Sequence, residues 1–424
     1  MWKCLAALAV LAVVPCARAQ VSPSSASLTL EAAVERVAAS HPELQLYPLQ
    51  RDAAAARLES ATLPPPLIVG VEVEDILGRG DSRGLRGAQT TVSLAGVLER
   101  GGKLDARRAV ALARMDSLAP QREIARLDLL AEVARRYLAI TAATAQRQIA
   151  LDDIEQRTRA VQAARARLAA GASPASTLLT AQAALAQAEL DRDRAAQAER
   201  ASALALAALW KARQAGFQSV QGEPLRLPAL QPFDQLESLL ERTPELAVIA
   251  TDQRVREAQL TLARSAQRGD VSWQLGVRNS QGSGDSGWVA GFTLPLGTAS
   301  RAAPDIRQAQ AELALGAVVR DARALQLHAT LAEAHGRYET ARLEVDRMDR
   351  DVLPLLRRAE NAAERAWRAG AISYLEWAQL QSMRIEARRR QLDAALAAQS
   401  ALIELQRLVG QPLVATASTQ GTTP

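Results

Sequence analysis

The residues best suited to chemistry are few and poorly spaced for it. His41, His328 and His335 are the only histidines. The last two can share a helix face, but no HxH or HExxH spacing occurs, so they do not read as a zinc site. Cys4 and Cys16 are the only cysteines. Both lie in a leader that carries Lys3, an apolar run over Leu5–Val14 and a small-x-small site at Ala17-Arg18-Ala19, the marks of a secretory signal cleaved between Ala19 and Gln20. The mature chain then has no thiol for disulfides or metal ligation. A lipoprotein signal with Cys16 as the lipidated residue is the alternative, against which Pro15 stands where a small residue is wanted. No nucleophile–base set and no phosphate loop is present, so neither an enzyme nor a cofactor is expected. The remaining charged positions of interest are Glu72, Glu74 and Arg278 in alternating segments, and Glu376 three residues after Ser373.

The bulk charge is close to balanced. Lys and Arg number 51 against 46 Asp and Glu, and removal of Lys3 and Arg18 lowers the net charge from +5 to +3. That excess is too small for a nucleic-acid-binding field. No mature segment carries an apolar run of about 18 residues, so no transmembrane helix is expected.

The elements that must position these residues come twice. "HPEL" at His41 returns as "TPEL" at Thr243, and "VSLAGVLERGGKLDAR" from Val92 returns as "FTLPLGTASRAAPDIR" from Phe292. "RLAAGAS" ending at Ser173 is echoed by "AWRAGAIS" ending at Ser373. A period of about 200 residues far exceeds the roughly 20–50 of a solenoid and marks a duplicated half-protein. The boundaries read as 1–19 signal, 20–213 first repeat, 214–231 linker, 232–410 second repeat and 411–424 a disordered tail.

Most of each repeat is rich in Ala, Leu, Arg, Gln and Glu, which are strong helix formers. Long helices are expected over Leu98–Ala170 and Arg301–Ala369, with Pro120 and Pro354 bending them. In the second, Leu327, Ala334, Ala341, Met348 and Leu355 repeat every seventh residue beside Leu331, Tyr338, Val345, Val352 and Ala359, a coiled-coil seam. Gly171 and Gly370 suit left-handed helix ends. Ser173 before Pro174 fits an N-cap, and Ser373 with Glu376 fits a capping box. Return helices follow over Ser173–Arg213 and Ser373–Val409, and shorter helices over Leu28–Ser60 and Pro232–Gln267. Two short helices laid end to end match one long helix, which makes a rod.

Between the short and long helices, each half has two segments of strand-like alternation, near 67–75 and 88–95, then near 271–279 and 287–295. Val69, Val71 and Val73 alternate with Gly70, Glu72 and Glu74; Trp273, Leu275 and Val277 alternate with Gln274, Gly276 and Arg278. Their length is near that of a transmembrane strand, and Trp273, Trp288 and Phe292 sit near strand ends as interfacial aromatics do. Four strands cannot close a barrel in lipid, because open edges leave backbone groups unsatisfied. Either two soluble hairpins cap the rod, or several chains pool their strands.

The duplicated halves, the paired strands and the turns "RLAAGASPASTLLTAQAAL" and "WRAGAISYLEWAQLQ" together resemble the outer-membrane efflux protein family typified by TolC, as does "DVLPLLRRA" at Asp351–Ala359. "VGVEVED" (Val69–Asp75) and "LERGGKLDARR" (Leu98–Arg108) are most similar to its CzcC branch, which serves cobalt–zinc–cadmium exporters. The resemblance implies a mainly α fold with a small β part. Long coiled-coil hairpins plus four transmembrane strands per chain would assemble as a homotrimer, with a 12-stranded β-barrel on a 12-helix periplasmic α-barrel. It implies a Gram-negative outer-membrane location reaching into the periplasm, with outer-membrane lipid, a periplasmic adaptor and an inner-membrane RND pump as partners and no nucleic acid. It also implies that the turns, with Gly171, Ser173, Thr177, Gly370, Ser373, Glu376 and Gln379, form the tip, the gate and the adaptor contact. Gln379 stands where the family often has a second acid, and Thr177 where the first repeat would match Glu376. Glu72, Glu74 and Arg278 would line the barrel lumen.

The function so implied is a passive exit duct of a tripartite RND-type efflux system for heavy-metal cations. The same duct for drugs or type I secretion is the alternative. A soluble periplasmic coiled-coil scaffold is the alternative from a different class.

Overall fold

The computed structural model describes residues 27–410 apart from Gly78 and residues 81–83. The signal, its Ala19–Gln20 cleavage site, Cys16 and the 411–424 tail lie outside the described residues. Along the chain run α1 (Leu30–Ser40), α2 (Pro42–Thr62), β1 (Ile68–Glu74), β2 (Gln89–Leu98), α3 (Lys103–Asp116), α4 (Leu118–Ala169) and α5 (Ala175–Ala208). The second repeat supplies α6 (Phe233–Leu240), α7 (Pro244–Ser265), β3 (Val271–Ser280), β4 (Ser286–Thr293), α8 (Thr298–Arg347), α9 (Leu353–Arg368) and α10 (Tyr374–Val409). Among the described residues, no helix is long and apolar enough to cross a membrane.

The shorter helices are each broken once, where a single helix was expected. The breaks fall at His41 and Thr243, inside the repeated "HPEL" and "TPEL". Proline biases the residue before it toward extended backbone, and both residues adopt it, with ψ of 131° and 148°. His41 then caps α2, its Nδ1 accepting the Glu43 N–H at 3.3 Å. The repeated motif is thus a helix break.

The first long helix also departs from expectation. Leu98 ends a strand, Gly101 and Gly102 take positive φ, and a break at Ser117 separates α3 from α4. Pro120 lies in the first turn of α4, where a missing N–H leaves no bond unmade, so it marks a start and not a kink.

The second long helix keeps its seam only as far as Val345. Leu327, Leu331, Ala334, Tyr338, Ala341 and Val345 are buried as the heptad requires, but Leu355 is 59% exposed. A π-helical turn occupies Met348–Val352, just before Pro354. Proline has no N–H to give and its ring crowds the carbonyl four residues back, so the helix widens and takes in one extra residue. The seam moves on by one, and Glu360, Ala363 and Trp367 become the buried positions.

The four strands form one antiparallel sheet in the order β1-β2-β3-β4. Its register aligns Val71, Val92, Val277 and Trp288 across one face and Glu72, Thr91, Arg278 and Gly287 across the other. The alternation in the sequence therefore survives as two chemically distinct faces. The apolar face is open: Val69, Val71, Trp288 and Phe292 are all exposed. Trp273 lies over Gly96, where a Cβ would come within 2.8 Å of its ring.

The rod is held by α4 against α5 and by α8 against α7 and α10. At its waist the duplication shows again. The Tyr137 hydroxyl donates to the Gln221 carbonyl, with that of Leu28 also in reach at 2.8 Å, and the Tyr338 hydroxyl donates to the Pro228 carbonyl. Each repeat thus clamps one part of the 214–231 segment to its long helix. Burial pushes both phenols up to about 12.

Candidate functional site

Two places gather the polar side chains singled out in the sequence: the pair of helical turns at one end of the rod, and the polar face of the sheet at the other.

The two turns have the same backbone. Gly171 (φ 69°) and Gly370 (φ 80°) follow the long helices. Ala172 N–H returns to the Arg167 carbonyl and Ala371 N–H to the Ala366 carbonyl, both at 2.8 Å. This six-to-one bond with a left-handed glycine is a Schellman ending, which satisfies carbonyls that a helix end would leave bare.

After the glycine the turns diverge. Ser373 and Glu376 make the expected capping box: Glu376 N–H donates to Ser373 Oγ at 3.3 Å, and Ser373 N–H donates to Glu376 Oε2 at 3.0 Å. Ser173 does not cap. The turns have equal length, but Ser173 stands two residues after its glycine where Ser373 stands three, so Pro174 occupies the N-cap and offers no side-chain acceptor. The Ser173 hydroxyl is buried without a partner. Thr177 donates its N–H to the Pro174 carbonyl at 3.1 Å. Glu376 and Gln379 are exposed on the second turn, and Thr177 is half-buried on the first.

Beneath the turns lies a cluster that sequence reasoning missed. Trp367 stacks on Trp377 with ring centres 4.7 Å apart, and Tyr374 meets both edge-on at 5.9 and 6.0 Å. Ala160, Val161 and Ala164 of α4 and Ala181 of α5 complete it. Arg167 reaches over from α4, its guanidinium 5.4 Å from the Trp367 ring centre, and donates to the Trp367 carbonyl. Burial raises the Tyr374 phenol above its usual range. The available signal was aromatic density: two of six tryptophans and one of four tyrosines fall between 367 and 377.

Further along the rod, α4 is stitched to the second hairpin by charge. Arg157 pairs with Asp153 at 3.0 Å, both buried, and donates to Ser382 Oγ at 3.0 Å. Arg388 meets Asp152 at 2.6 Å, and Arg384 bridges Glu360 and Gln156. Arg157 and Ser382, Arg388 and Asp152, and Arg384 and Gln156 are each more than 200 residues apart across the two repeats, beyond the reach of any spacing rule.

On the sheet, Glu72, Glu74 and Arg278 share one face. Arg278 spans three strands. Its Nη2 lies 3.1 Å from Glu74 Oε2, its Nε donates to Thr91 Oγ1 at 3.1 Å, and its Nη1 donates to Gln89 Oε1 at 3.4 Å. Glu72 is exposed and has no ion pair among the described residues. The described residues contain no cluster of three metal-binding side chains. At the base of the sheet, Lys103 and the Arg100 N–H both donate to Asp270 Oδ1, at 2.7 and 3.1 Å. Partial burial works against the Asp270 anion, but these donors prevail and hold its carboxyl below the ordinary value.

A family model described as outer membrane efflux protein matches residues 33–212, the first repeat. The cobalt-zinc-cadmium resistance protein CzcC of Cupriavidus metallidurans is 26% identical over 393 residues, covering 91% of this chain and 90% of that protein. Among solved structures, CusC superposes with a TM-score of 0.76 at 17% identity, covering 90% of this chain and 92% of its own. The outer membrane protein VceC of Vibrio cholerae superposes at 0.74 and 16% identity, covering 91% and 97%. The first repeat thus matches the outer-membrane efflux protein model, and the chain along nine-tenths of its length is similar to CzcC.

Proposed function

We propose that this chain is the outer-membrane exit duct of a tripartite efflux system and that its cargo is heavy-metal cations. One observation carries the duct: a four-stranded sheet with an exposed apolar face, a polar face behind it and two unpaired edges, β1 and β4, standing on a long helical rod. In lipid such edges must be paired, and a twelve-stranded barrel from three chains pairs them all. The aromatics at both ends of the apolar face suit the two membrane interfaces. The same threefold operation sets the long and return helices of each chain into a twelve-helix tunnel in the periplasm.

The duct opens and closes and performs no chemical step. A pump in the inner membrane supplies the energy, and a periplasmic adaptor joins pump to duct at the helical turns. There Gly171 and Gly370 shape the tip, and Ser373 fixes α10, on which Glu376 and Gln379 project. Support for metal cargo comes from the cobalt–zinc–cadmium resistance named for the relative aligned along nine-tenths of both chains.

Two measurements test this. Solubilised outer membranes should yield a detergent-stable trimer; recovery of the protein in the detergent-free periplasmic fraction would overturn the duct. Deletion should lower tolerance to zinc, cobalt or cadmium, and unchanged tolerance to these and to copper and silver would overturn the metal reading alone.

A further inference from the structure

The polar face of the sheet carries only three charged side chains along its four strands: Glu72, Glu74 and Arg278. They are not equivalent. Arg278 is held by Glu74, Thr91 and Gln89 at once, so its charge is spent against Glu74. Glu72 lies two residues along β1, level with Thr91 and Arg278 in the register, exposed and without an ion pair among the described residues. The opposite face has no charged residue on any strand. Among the described residues each chain thus contributes one uncompensated negative charge to the polar face, and it sits at one fixed level.

We propose that Glu72 makes the barrel wall cation-selective, with Arg278 limiting the strength of that selectivity by neutralising Glu74. The inference rests on the trimeric duct proposed above, in which the polar face lines the lumen. Threefold symmetry then sets three Glu72 carboxylates in a ring. Rings of like charge in a low-dielectric wall concentrate counter-ions and repel co-ions. The magnitude depends on salt. Strand spacing of about 4.8 Å and a tilt of about 40° give twelve strands a backbone radius of roughly 12 Å. The Debye length is about 8 Å at physiological salt and about 30 Å at 0.01 M. The ring therefore acts on ions near the wall at physiological salt and across the whole lumen in dilute solution.

The test is the reversal potential of the purified, folded trimer in planar bilayers under a KCl gradient whose dilute side is about 10 mM. The wild-type channel prefers K⁺, and the preference fades as both sides approach 1 M. E72Q loses much of that preference while its conductance at high salt stays unchanged. R278Q releases Glu74 and shifts the reversal potential the other way, to stronger cation preference. E72Q is the primary variant, because Glu72 holds nothing in place. Channels with no cation preference, or a reversal potential unmoved by E72Q, would overturn the proposal and leave the duct standing. Folded trimer that never conducts would overturn the duct itself.

Discussion

The two helical turns began as the same piece of chain and now differ in everything except backbone. Both close with a left-handed glycine and the same pair of hydrogen bonds. The second adds a capping box and three interlocked aromatics. The first has Pro174 at the cap, with Ala175 and Leu178 where the second has Tyr374 and Trp377. Turn geometry is preserved because it depends on glycine and main-chain bonds, which tolerate drift in the side chains. Rigidity is not preserved, because it depends on what those side chains fill. The second turn is locked from within, while the first leans on it through Arg167.

The largest expected effect breaks that lock. Truncating Trp377 to Ala removes a fully buried ring from a four-helix junction and should cost about 3–5 kcal/mol. Truncating its half-buried counterpart Leu178 to Ala should cost less than about 2 kcal/mol. Thermal melts of the detergent-solubilised protein compare the two, and equal losses would erase the asymmetry.

Next come the caps. Ser373→Ala should lose about 1 kcal/mol, the usual value of a serine cap. Pro174→Ser supplies an acceptor to the first turn, and should stabilise it by no more than about 1 kcal/mol. A melt that falls for both variants would mean that the proline is required where it stands.

A third variant separates two roles of one carboxylate. Glu376→Gln keeps an acceptor for the Ser373 N–H, so stability should change by only a few tenths of a kcal/mol. If the Glu376 charge also narrows the tip, single-channel conductance at low salt changes in this variant although its melting temperature does not. Unchanged conductance leaves Glu376 as a cap alone.

The smallest effect lies at the base of the sheet, where the first repeat offers Lys103 and the second has Ala303 at the matching position. The folded state lowers the Asp270 carboxyl, so its contribution is present above the unfolded value near 3.8 and is lost as pH falls through the lower folded value. Asp270→Asn should therefore flatten the acid limb of the stability curve below about pH 4. A curve unchanged from wild type would show that this junction does not titrate with folding.

Much of the architecture was legible because it is local or periodic. Strand alternation gave two faces, and the register kept them: Val71 and Glu72 lie on opposite sides as the pattern requires. Glycine and serine chemistry gave the turns and the second cap. The misreadings came where one residue altered the phase. The π turn before Pro354 moved the seam by one and left Leu355 outside. A serine one position nearer its glycine, in a turn of equal length, left Ser173 out of the cap. The 42 and 244 prolines split helices that composition alone had joined.

By itself the sequence determined the duplication, the helix and strand segments, the two-faced sheet and the resemblance to a family of ducts. These follow from period, propensity and main-chain hydrogen bonding, which act over a few residues. Only the tertiary structure decided which charges are free. Arg278 meets Glu74 from two strands away, Arg157 meets Ser382 across 225 positions, and Arg167 crosses to Trp367. Among the described residues Glu72 is left without an ion pair while Glu74 takes Arg278, and no spacing along the chain encodes that.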